Sequence, residues 1–450
     1  MKLTFAGGAQ MVTGSNYVLE YEGMSILVDC GLHQGSNFCE RHNWEPFTYN
    51  PHSIAAVFVT HAHIDHIGRL PKLVKDGFKG TVYATSATRD MAHLTLLDSE
   101  HVLSKEAEKF RLPLLYETTD VEALITRWRG IRYHEPITVG PFRVTFFNAG
   151  HILGSAFLLI EVGGKKIIFS GDLGNSPAPL IGPWELPPSA DYALIESTYG
   201  GRLHEALPER TELLRSMIKE TIERKGTLLI PAFATERTQE ILFEIHALME
   251  ADKLPKIPVF LDSPLAIKMT DIYRTHSDYF TPETLRRAPG EKHPLFEFPG
   301  FRKTLSTEES KAINDVEGAK VIIAGSGMSN GGRILHHEKR YLSDPKSTLL
   351  IVGYQAQGSL GRQILDGAST VHILGDEILV RAHVKAIGGY SAHADQHQLI
   401  EWFRPLASSV KRLFVVQGET EEATALEKKM QEIFSVSTRI PDLGEEVVLY

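Results

Sequence analysis

Four side chains that can bind a metal ion lie within six positions of this sequence: His61, His63, Asp65 and His66. Residues 55–60, directly before them, are apolar and rich in β-branched side chains, which predicts a buried strand. A strand end that runs into a tight turn can direct several ligands into one small volume, and imidazole with carboxylate suits zinc or another first-row divalent ion. Because Asp65 and His66 are adjacent in sequence and point in different directions, the pattern favours two neighbouring ions over one.

Three further candidates occur downstream, and two ions need about seven or eight donors in all. His151 follows a predicted strand at 143–147, and Asp172 follows one at 166–169. His393 precedes a predicted helix. A lone histidine in a loop is usually a surface residue, and an aspartate after glycine is usually turn chemistry. The argument therefore depends on the recurrence of one pattern, in which an apolar strand is followed by a ligand and a glycine.

This arrangement resembles the metallo-β-lactamase superfamily, whose signature is matched by His61-x-His63-x-Asp65-His66. The resemblance implies two Zn²⁺ ions per chain. The first ion would be held by His61, His63 and His151. The second would be held by Asp65, His66 and His393, with Asp172 bridging the two. The superfamily also hydrolyses lactams, thioesters and lactones, so its signature alone does not determine the substrate.

Segments in the middle of the chain narrow the resemblance to the β-CASP branch, which processes nucleic acids. They occur in the order of that branch, at 194–200, 231–240, 261–266, 325–333 and 353–362. The sequence is most similar to bacterial and archaeal RNases related to the endonuclease subunit of the eukaryotic pre-mRNA cleavage and polyadenylation factor. By this resemblance Glu196 matches the first diagnostic acidic position of the branch, His383 its second motif and His393 its third.

The resemblance also implies catalytic roles for three side chains. His383 would act as the general acid toward the leaving ribose oxygen, and Glu196 would hold its imidazole. Asp65 would orient the attacking hydroxide in addition to binding metal. Without the family, Glu196 would be interpreted as a strand-end or helix-capping carboxylate and His383 as an ordinary core histidine.

Two glycine-rich loops, 325–332 and 353–361, supply the candidates for substrate binding. Backbone N–H groups at a helix start after such a loop suit phosphate, although most glycine loops only turn the chain. The predicted substrate-binding residues are Ser326, Arg333, Gly358 and Arg362.

One position departs from the family pattern. Residues 415–419 read Val-Val-Gln-Gly-Glu where these relatives commonly read His-Gly-Glu, so Gln417 replaces an imidazole that supports the active site in the family. An amide can donate and accept hydrogen bonds but cannot carry a proton charge. His33, where Phe is more usual, is interpreted as a tolerated variation and not as another ligand.

The order of elements predicts an α/β fold in two parts. Residues 1–200 contain short strands and two helical stretches, at about 87–108 and 120–128. The region from Leu207 alternates helices with apolar strands, which is typical of a parallel sheet flanked by helices. We therefore predict a metallo-β-lactamase αββα sandwich with an inserted α/β β-CASP domain. The sandwich would comprise 1–200 and 376–450, and the insertion 201–375.

Composition is ordinary for a globular enzyme, with 42% hydrophobic and 23% charged residues among 450. The net charge of −9 disfavours a broad basic surface, so RNA would be held by a few contacts and by the ions. Cys30 and Cys39 cannot form a disulfide framework, no apolar run reaches transmembrane length, and residues 1–7 do not resemble a signal peptide. These features favour the cytoplasm and no membrane partner.

The sequence thus predicts a zinc-dependent ribonuclease that cuts RNA endonucleolytically, through a two-metal activated hydroxide with His/Glu general-acid assistance. RNA is the expected partner, and a homodimer, the RNA target and the base preference are left open. The alternatives are a 5′ exoribonuclease or DNA-directed β-CASP nuclease, a non-catalytic RNA-binding scaffold, and a small-substrate hydrolase such as a thioesterase or lactonase. The complete ligand set disfavours the scaffold, and the inserted domain disfavours the small-substrate hydrolase.

Overall fold

The computed structural model describes residues 1–34, 41–205, 207–287 and 295–450, so that Cys39 lies outside the described residues. These residues divide into two compact units. The first comprises Met1–Ala178, Gly182–Leu203 and His393–Tyr450, and the second comprises Pro179–Ile181 and His204–Ala392. Residues 376–392 thus belong to the second unit, whereas the sequence assigned them to the last part of the sandwich. The domain boundaries at residues 200 and 375 remain a prediction.

The first unit contains two sheets. The strands of the first sheet are β1 (Lys2–Phe5), β2 (Tyr17–Tyr21), β3 (Met24–Val28), β4 (Ile54–Phe58), β5 (Thr81–Thr85), β6 (Trp128–Ile131) and β22 (Glu446–Val448). They are arranged in the order β22-β1-β2-β3-β4-β5-β6. The strands of the second sheet are β7 (Ile137–Val139), β8 (Phe142–Asn148), β9 (Ala156–Val162), β10 (Lys165–Phe169), β11 (Tyr192–Glu196), β20 (Arg412–Val416) and β21 (Thr438–Arg439). Their order is β21-β20-β11-β10-β9-β8-β7.

The two sheets pack face to face, each through an apolar face. A single buried core joins Phe5 and Phe58 of the first sheet to Phe146, Phe169 and Phe414 of the second. Helices cover the outer faces, so that the unit is an αββα sandwich, as predicted. The helices of this unit are α1 (Ile64–Ile67), α2 (Leu70–Lys75), α3 (Ser86–Phe110), α4 (Thr118–Thr126), α12 (Gln396–Phe403) and α13 (Thr420–Phe434).

Local sequence signals set the bounds of the helices in the first unit. The helix predicted at 87–108 is α3, whose first turn is capped by the Thr85 side chain accepting from the Thr88 backbone N–H. The helix predicted at 120–128 is α4, which starts with a capping box of Glu117 and Asp120. It ends earlier than predicted, because Trp128 begins strand β6. Among the described residues, no helix is long and apolar enough to cross a membrane.

The second unit is built on a parallel sheet, as predicted. Its strands are β12 (Thr227–Pro231), β13 (Val259–Asp262), β14 (Phe301–Lys303), β15 (Lys320–Ala324), β16 (Thr348–Ile351) and β19 (His383–Ala386), in the order β14-β13-β15-β12-β16-β19. A separate antiparallel pair is formed by β17 (Thr370–Ile373) and β18 (Asp376–Leu379). The strands β12, β13, β15 and β16 are buried along their whole length, which explains their continuous apolar sequences. The helices are α5 (Leu207–Arg224), α6 (Arg237–Glu250), α7 (Pro264–Thr275), α8 (Pro282–Arg287), α9 (Thr307–Ala312), α10 (Ile334–Tyr341) and α11 (Leu360–Leu365).

A buried carboxyl in α10 gives the second unit a pH-dependent stability. Glu338 is 0% exposed; one of its oxygens accepts from Ser329 Oγ at 2.5 Å, and the other has no hydrogen-bond partner among the described residues. Burial raises the pKa of Glu338 to about 8. The folded state therefore holds this proton more tightly than the unfolded chain, and the stability contributed by the protonated form is lost as pH rises from about 4.3 to 8.

We expect Glu338→Gln to remove this pH dependence, because the amide is neutral at every pH. The variant should be more stable than the wild type at pH 8 and above, by roughly 3–5 kcal/mol, and this advantage should fade toward pH 4. Urea unfolding at several pH values measures the effect, with the exposed Glu317→Gln as the control. If the free energy of unfolding changed between pH 5 and 8 by the same amount in the wild type and in Glu338→Gln, the prediction would be contradicted.

Candidate metal centre

Three histidines and one aspartate of the first unit form a buried cluster of ligand atoms. His63 Nδ1 lies 3.1 Å from His61 Nε2 and 3.1 Å from His151 Nε2. Asp172 Oδ2 lies 3.4 Å from His61 Nε2 and 3.5 Å from His151 Nε2. Ligands held about 2.0–2.1 Å from a tetrahedral zinc ion lie about 3.3 Å from one another. The spacing of the four atoms therefore fits a tetrahedral zinc site.

Strand ends of both sheets bring these side chains together. His61 and His63 follow β4, while His151 follows β8 and Asp172 follows β10. The chain leaving β3 passes so close to the ligand turn that a Cβ on Gly31 would lie 1.5 Å from the carbonyl oxygen of Asp65. Only glycine permits this approach, which lets the turn enter α1 with Asp65 and His66 facing the cluster.

A second group of ligand atoms adjoins the first and shares Asp172 with it. His66 Nε2 lies 3.2 Å from Asp172 Oδ1 and 3.9 Å from Asp65 Oδ2. Asp172 thus presents Oδ2 to the first cluster and Oδ1 to His66, as the predicted bridging role requires. Two ions in these positions would share one carboxylate.

Asp29, which the sequence analysis did not single out, orients His66. Its Oδ2 lies 2.7 Å from His66 Nδ1, and the same carboxylate accepts from Thr60 N at 2.8 Å and from Thr60 Oγ1 at 2.9 Å. A carboxylate on the far nitrogen of an imidazole fixes the ring and leaves Nε2 free for a metal. The available signal was its position at the end of β3, beside the strand that carries the histidines.

The protonation of the first cluster, which consists of three histidines and Asp172, suits a cation. Burial lowers the pKa of His61, and burial together with neighbouring imidazoles lowers the pKa of His63 and His151 well below the usual value, so these rings are neutral near pH 7. Burial also disfavours the charged form of His66, but the carboxylates of Asp172 and Asp29 outweigh it and raise its pKa well above the usual value. Although burial opposes its ionisation, Asp172 has a pKa well below the usual range because histidines surround it.

Glu196 and His393 form a pair beside the cluster. Glu196 is fully buried at the end of β11, and His393 Nδ1 lies 3.1 Å from its Oε2 and 3.3 Å from its Oε1. The Leu173 backbone N–H donates to Oε1 at 2.6 Å, which fixes the carboxylate. His393 Nδ1 lies 3.8 Å from Asp172 Oδ2. Burial is outweighed by Glu196 and Asp172, which raise the pKa of His393 to about 9.

His383 lies in the second unit, at the start of β19, where its side chain is exposed. Its backbone N–H donates to the Ser347 carbonyl at 2.9 Å. The predicted pairing of Glu196 with His383 remains a prediction. The structure supplies an alternative, because it brings Glu196 together with His393.

Gln417 follows β20 and contacts two of the predicted ligands. Its Nε2 lies 2.8 Å from Asp172 Oδ1 and 3.0 Å from His66 Nε2. The sequence indicated only that this position differs from the family pattern. Its contact with the second group of ligands depends on the packing of a strand that lies far away in sequence.

The two glycine-rich loops of the second unit are joined to each other. Gln355 Nε2 donates to the Gly327 carbonyl at 2.9 Å, and the Leu360 backbone N–H donates to Asn330 Oδ1 at 3.1 Å. Beside them is a cavity of about 360 Å³. Its lining includes Gly358, one of the predicted substrate-binding residues, together with Asn330.

The two predicted arginines differ in their surroundings. Arg333 Nη1 donates to Asp262 Oδ1 at 2.7 Å and to the Thr304 carbonyl at 3.0 Å, and its Nη2 donates to the Leu305 carbonyl at 2.7 Å. Arg362 forms an exposed pair with Asp366, at 2.9 Å. The guanidinium of Arg333 is therefore held by hydrogen bonds within the second unit. The guanidinium of Arg362 can leave Asp366 and bind a ligand at little cost in free energy.

We expect the two arginines to give different results on substitution. Arg333→Ala should lower the free energy of unfolding by about 1–3 kcal/mol, because buried Asp262 loses a charged donor. Arg362→Ala should leave stability nearly unchanged but weaken RNA binding, and reduce the slope of log affinity against log salt by about one. Denaturant unfolding and RNA binding at several salt concentrations measure the two effects, and zinc content should stay the same in both. Unchanged RNA binding and cleavage in Arg362→Ala would remove that residue from the substrate site.

Three family models match the chain in succession. A Metallo-beta-lactamase superfamily domain matches residues 18–176, a Beta-Casp domain matches 238–364, and a Zn-dependent metallo-hydrolase RNA specificity domain matches 377–441. The first match contains the histidine turn and Asp172, and the third contains His393 and Gln417.

Several known proteins are similar to this chain over most of their length. Ribonuclease TTHA0252 of Thermus thermophilus is 39% identical over 95% of this chain and 95% of its own. The transcription termination factor FttA of Methanosarcina mazei is 32% identical over 98% of this chain and 70% of its own. An RNase J-like protein of Methanocaldococcus jannaschii is 30% identical over 98% of both chains. A crystal structure of a protein of unknown function from Enterococcus faecalis V583 has the same fold, with a TM-score of 0.55 and 15% identity over 100% of this chain and 99% of that one.

The αββα sandwich with a His/Asp cluster at its strand ends defines a metal-dependent hydrolase. The chain belongs to the metallo-β-lactamase superfamily and, within it, to the β-CASP ribonuclease family. The predicted family, fold class and enzyme class are thereby confirmed.

Proposed function

We propose that this protein hydrolyses RNA phosphodiester bonds within the strand, using two divalent ions held by the candidate metal centre. The observation that carries the proposal is the sharing of Asp172 between a tetrahedral His/Asp cluster and a second group of ligand atoms. RNA as the substrate is supported by a relative at 39% identity that is named a ribonuclease and by the RNA specificity domain matched at 377–441. Location in the cytoplasm, which is expected from the sequence, and a homodimer, which the sequence leaves open, belong to this proposal and are tested by fractionation and light scattering.

The side chains of the candidate metal centre would hold the two ions and orient the attacking water. Two divalent ions in these positions would supply a water of lowered pKa and neutralise charge on the phosphate. His61, His63, His151 and Asp172 would hold the first ion, while Asp65, His66 and Asp172 would contribute to the second. Asp29 keeps the His66 ring in the orientation that exposes Nε2. Asp65, whose Oδ2 lies 3.9 Å from His66 Nε2, would orient the attacking water.

We assign the general acid to His393, supported by its contact with Glu196. The leaving ribose oxygen needs a proton, and a buried carboxylate on Nδ1 favours the protonated imidazole and fixes the direction of Nε2. This assignment replaces His383, for which the sequence analysis proposed the same role. It also changes the expected role of His393, from a ligand of the second ion to a proton donor beside both ions.

A circular RNA tests the mode of cleavage directly. A circle has no end, so an endonuclease converts it to linear product, whereas a 5′ exonuclease leaves it intact. We expect cleavage of both the circle and a linear RNA labelled at its 5′ end, with fragments that do not shorten progressively from one end. Degradation of the linear RNA alone would favour the 5′ exoribonuclease, and cleavage of DNA in preference to RNA would favour the DNA-directed nuclease. An Asp172→Ala protein prepared in parallel excludes a contaminating nuclease.

A further inference from the structure

Gln417 is held in one place by the backbone around it. The residue is 1% exposed, and its N–H donates to the Gly8 carbonyl at 2.8 Å. Its own carbonyl accepts from Thr198 Oγ1 at 3.1 Å. A Cβ on Gly8 would lie 3.3 Å from Gln417 Cγ, so the start of the side chain is packed as well. These contacts fix the position of the Gln417 side-chain amide.

That point lies among the ligands of the second group. The amide Nε2 is 2.8 Å from Asp172 Oδ1 and 3.0 Å from His66 Nε2, and those two atoms are 3.2 Å apart. The three distances are close to the ligand-to-ligand spacing of about 3.3 Å around an ion with ligands at about 2.0–2.1 Å. A half-turn about the last bond of the side chain exchanges Nε2 and Oε1, so the amide can present its oxygen to a cation at this point.

The two metal positions therefore differ in chemistry. The first is formed by three imidazoles and one carboxylate oxygen, which suit zinc. The second has one imidazole, from His66, carboxylate oxygens of Asp65 and Asp172, and the Gln417 amide, whose oxygen reaches this point after the half-turn. Oxygen ligands favour harder ions such as Mn²⁺ and Mg²⁺, whereas imidazole favours zinc.

We propose that Gln417 makes the second metal position rich in oxygen, so that it takes a hard divalent cation such as Mn²⁺ while the first position takes zinc. The inference rests on the two-metal proposal above and deepens it by assigning a different ion to each position. It also predicts that the expected two zinc ions per chain are reached only at high zinc concentration.

The experiment uses protein stripped of metal with a chelator, then loaded with one equivalent of zinc and titrated with Mn²⁺ or with more zinc. Electron paramagnetic resonance counts bound Mn²⁺, and elemental analysis counts zinc. In the titration with Mn²⁺ we expect one tightly bound zinc and one Mn²⁺ per chain. In the titration with zinc we expect the second zinc to bind about 10- to 100-fold more weakly than the first. Gln417→His should tighten the second zinc and lose Mn²⁺. Gln417→Leu should lose Mn²⁺ but keep the first zinc.

The controls separate this inference from the two-metal proposal itself. Gln431→His adds an imidazole at an exposed position of α13 and should bind metals as the wild type does. Equal affinity of the wild type for two zinc ions, or full Mn²⁺ binding by Gln417→Leu, would overturn the inference. Failure of the two-metal proposal has another signature, which is a single ion in both the wild type and Gln417→His. Should the leucine variant not fold by circular dichroism, Gln417→Glu decides: tighter Mn²⁺ binding supports the inference, and weaker binding overturns it.

Discussion

Asp172→Ala is expected to release metal from both positions at once and to abolish RNA cleavage. Asp172 Oδ2 faces the imidazoles of His61 and His151, and Oδ1 faces His66, so one carboxylate serves two groups of ligands. Its removal takes an anionic ligand from each ion and leaves too few donors in both groups to hold a metal tightly. The number of divalent ions per chain should fall from two to below one. The rate of RNA cleavage should fall by at least about 10⁴-fold, leaving only the activity that substrate binding supports without metal.

The matched control is Asp191→Ala, at the opposite end of the same strands. Asp191 accepts from the Lys166 backbone N–H at 3.0 Å and pairs with Lys411, so its loss disturbs the sheet without reaching the cluster. This variant should keep both metals. Loss of only one ion in Asp172→Ala would show that Asp172 does not bridge, and the two positions would then have separate ligands.

His393→Ala is expected to retain its metals and to lose cleavage by about 10²- to 10⁴-fold, the usual range for a positioned general acid. The reason is its partner: Glu196 fixes Nδ1 at 3.1 Å, which directs the imidazole as a proton donor. Glu196→Gln should produce a smaller loss, since an amide still accepts a hydrogen bond but no longer favours the charged ring. Metal content and single-turnover cleavage are measured on the same preparations.

His383→Ala is the comparison that separates the two assignments of the acid. Its side chain is exposed at the start of β19, and we expect cleavage within about 10-fold of the wild type, because the acid is assigned to His393. The opposite result, with metal lost from His393→Ala and cleavage lost from His383→Ala, would restore the assignment made from the sequence. A leaving group of low pKa offers a second criterion, because it needs no acid and should rescue only the variant that lacks the acid.

The metal requirement follows from the same geometry. Because the second position is proposed to take Mn²⁺ in preference to zinc, the enzyme should be less active with zinc alone than with zinc and Mn²⁺ together. The Gln417→His protein should lose this preference. The difference at residue 417 would then distinguish this chain from relatives with an imidazole there.

Several features of this protein could be predicted from residues that lie close together in the sequence. The spacing of His61, His63, Asp65 and His66 places four candidate ligands in one turn, because a strand end and a single helical turn bring together residues one to five positions apart. The helices α3 and α4 and the buried parallel strands of the second unit were predictable for the same reason: their caps and apolar runs act within a few residues. The order of motifs indicated the family, and with it the inserted domain.

Partners distant in sequence were decided only by the tertiary structure. Glu196 and His393 are 197 positions apart, and Gln417 lies 351 positions from His66 and 245 from Asp172. Parallel strands β10, β11 and β20 end at the same edge of one sheet, and this edge brings Asp172, Glu196 and Gln417 together. A sequence names the side chains that can ionise or bind metal, but which of them meet depends on strand order and register. For that reason the sequence indicated candidate ligands, whereas the contact of Glu196 with His393 and the contacts of Gln417 with Asp172 and His66 emerged only from the fold.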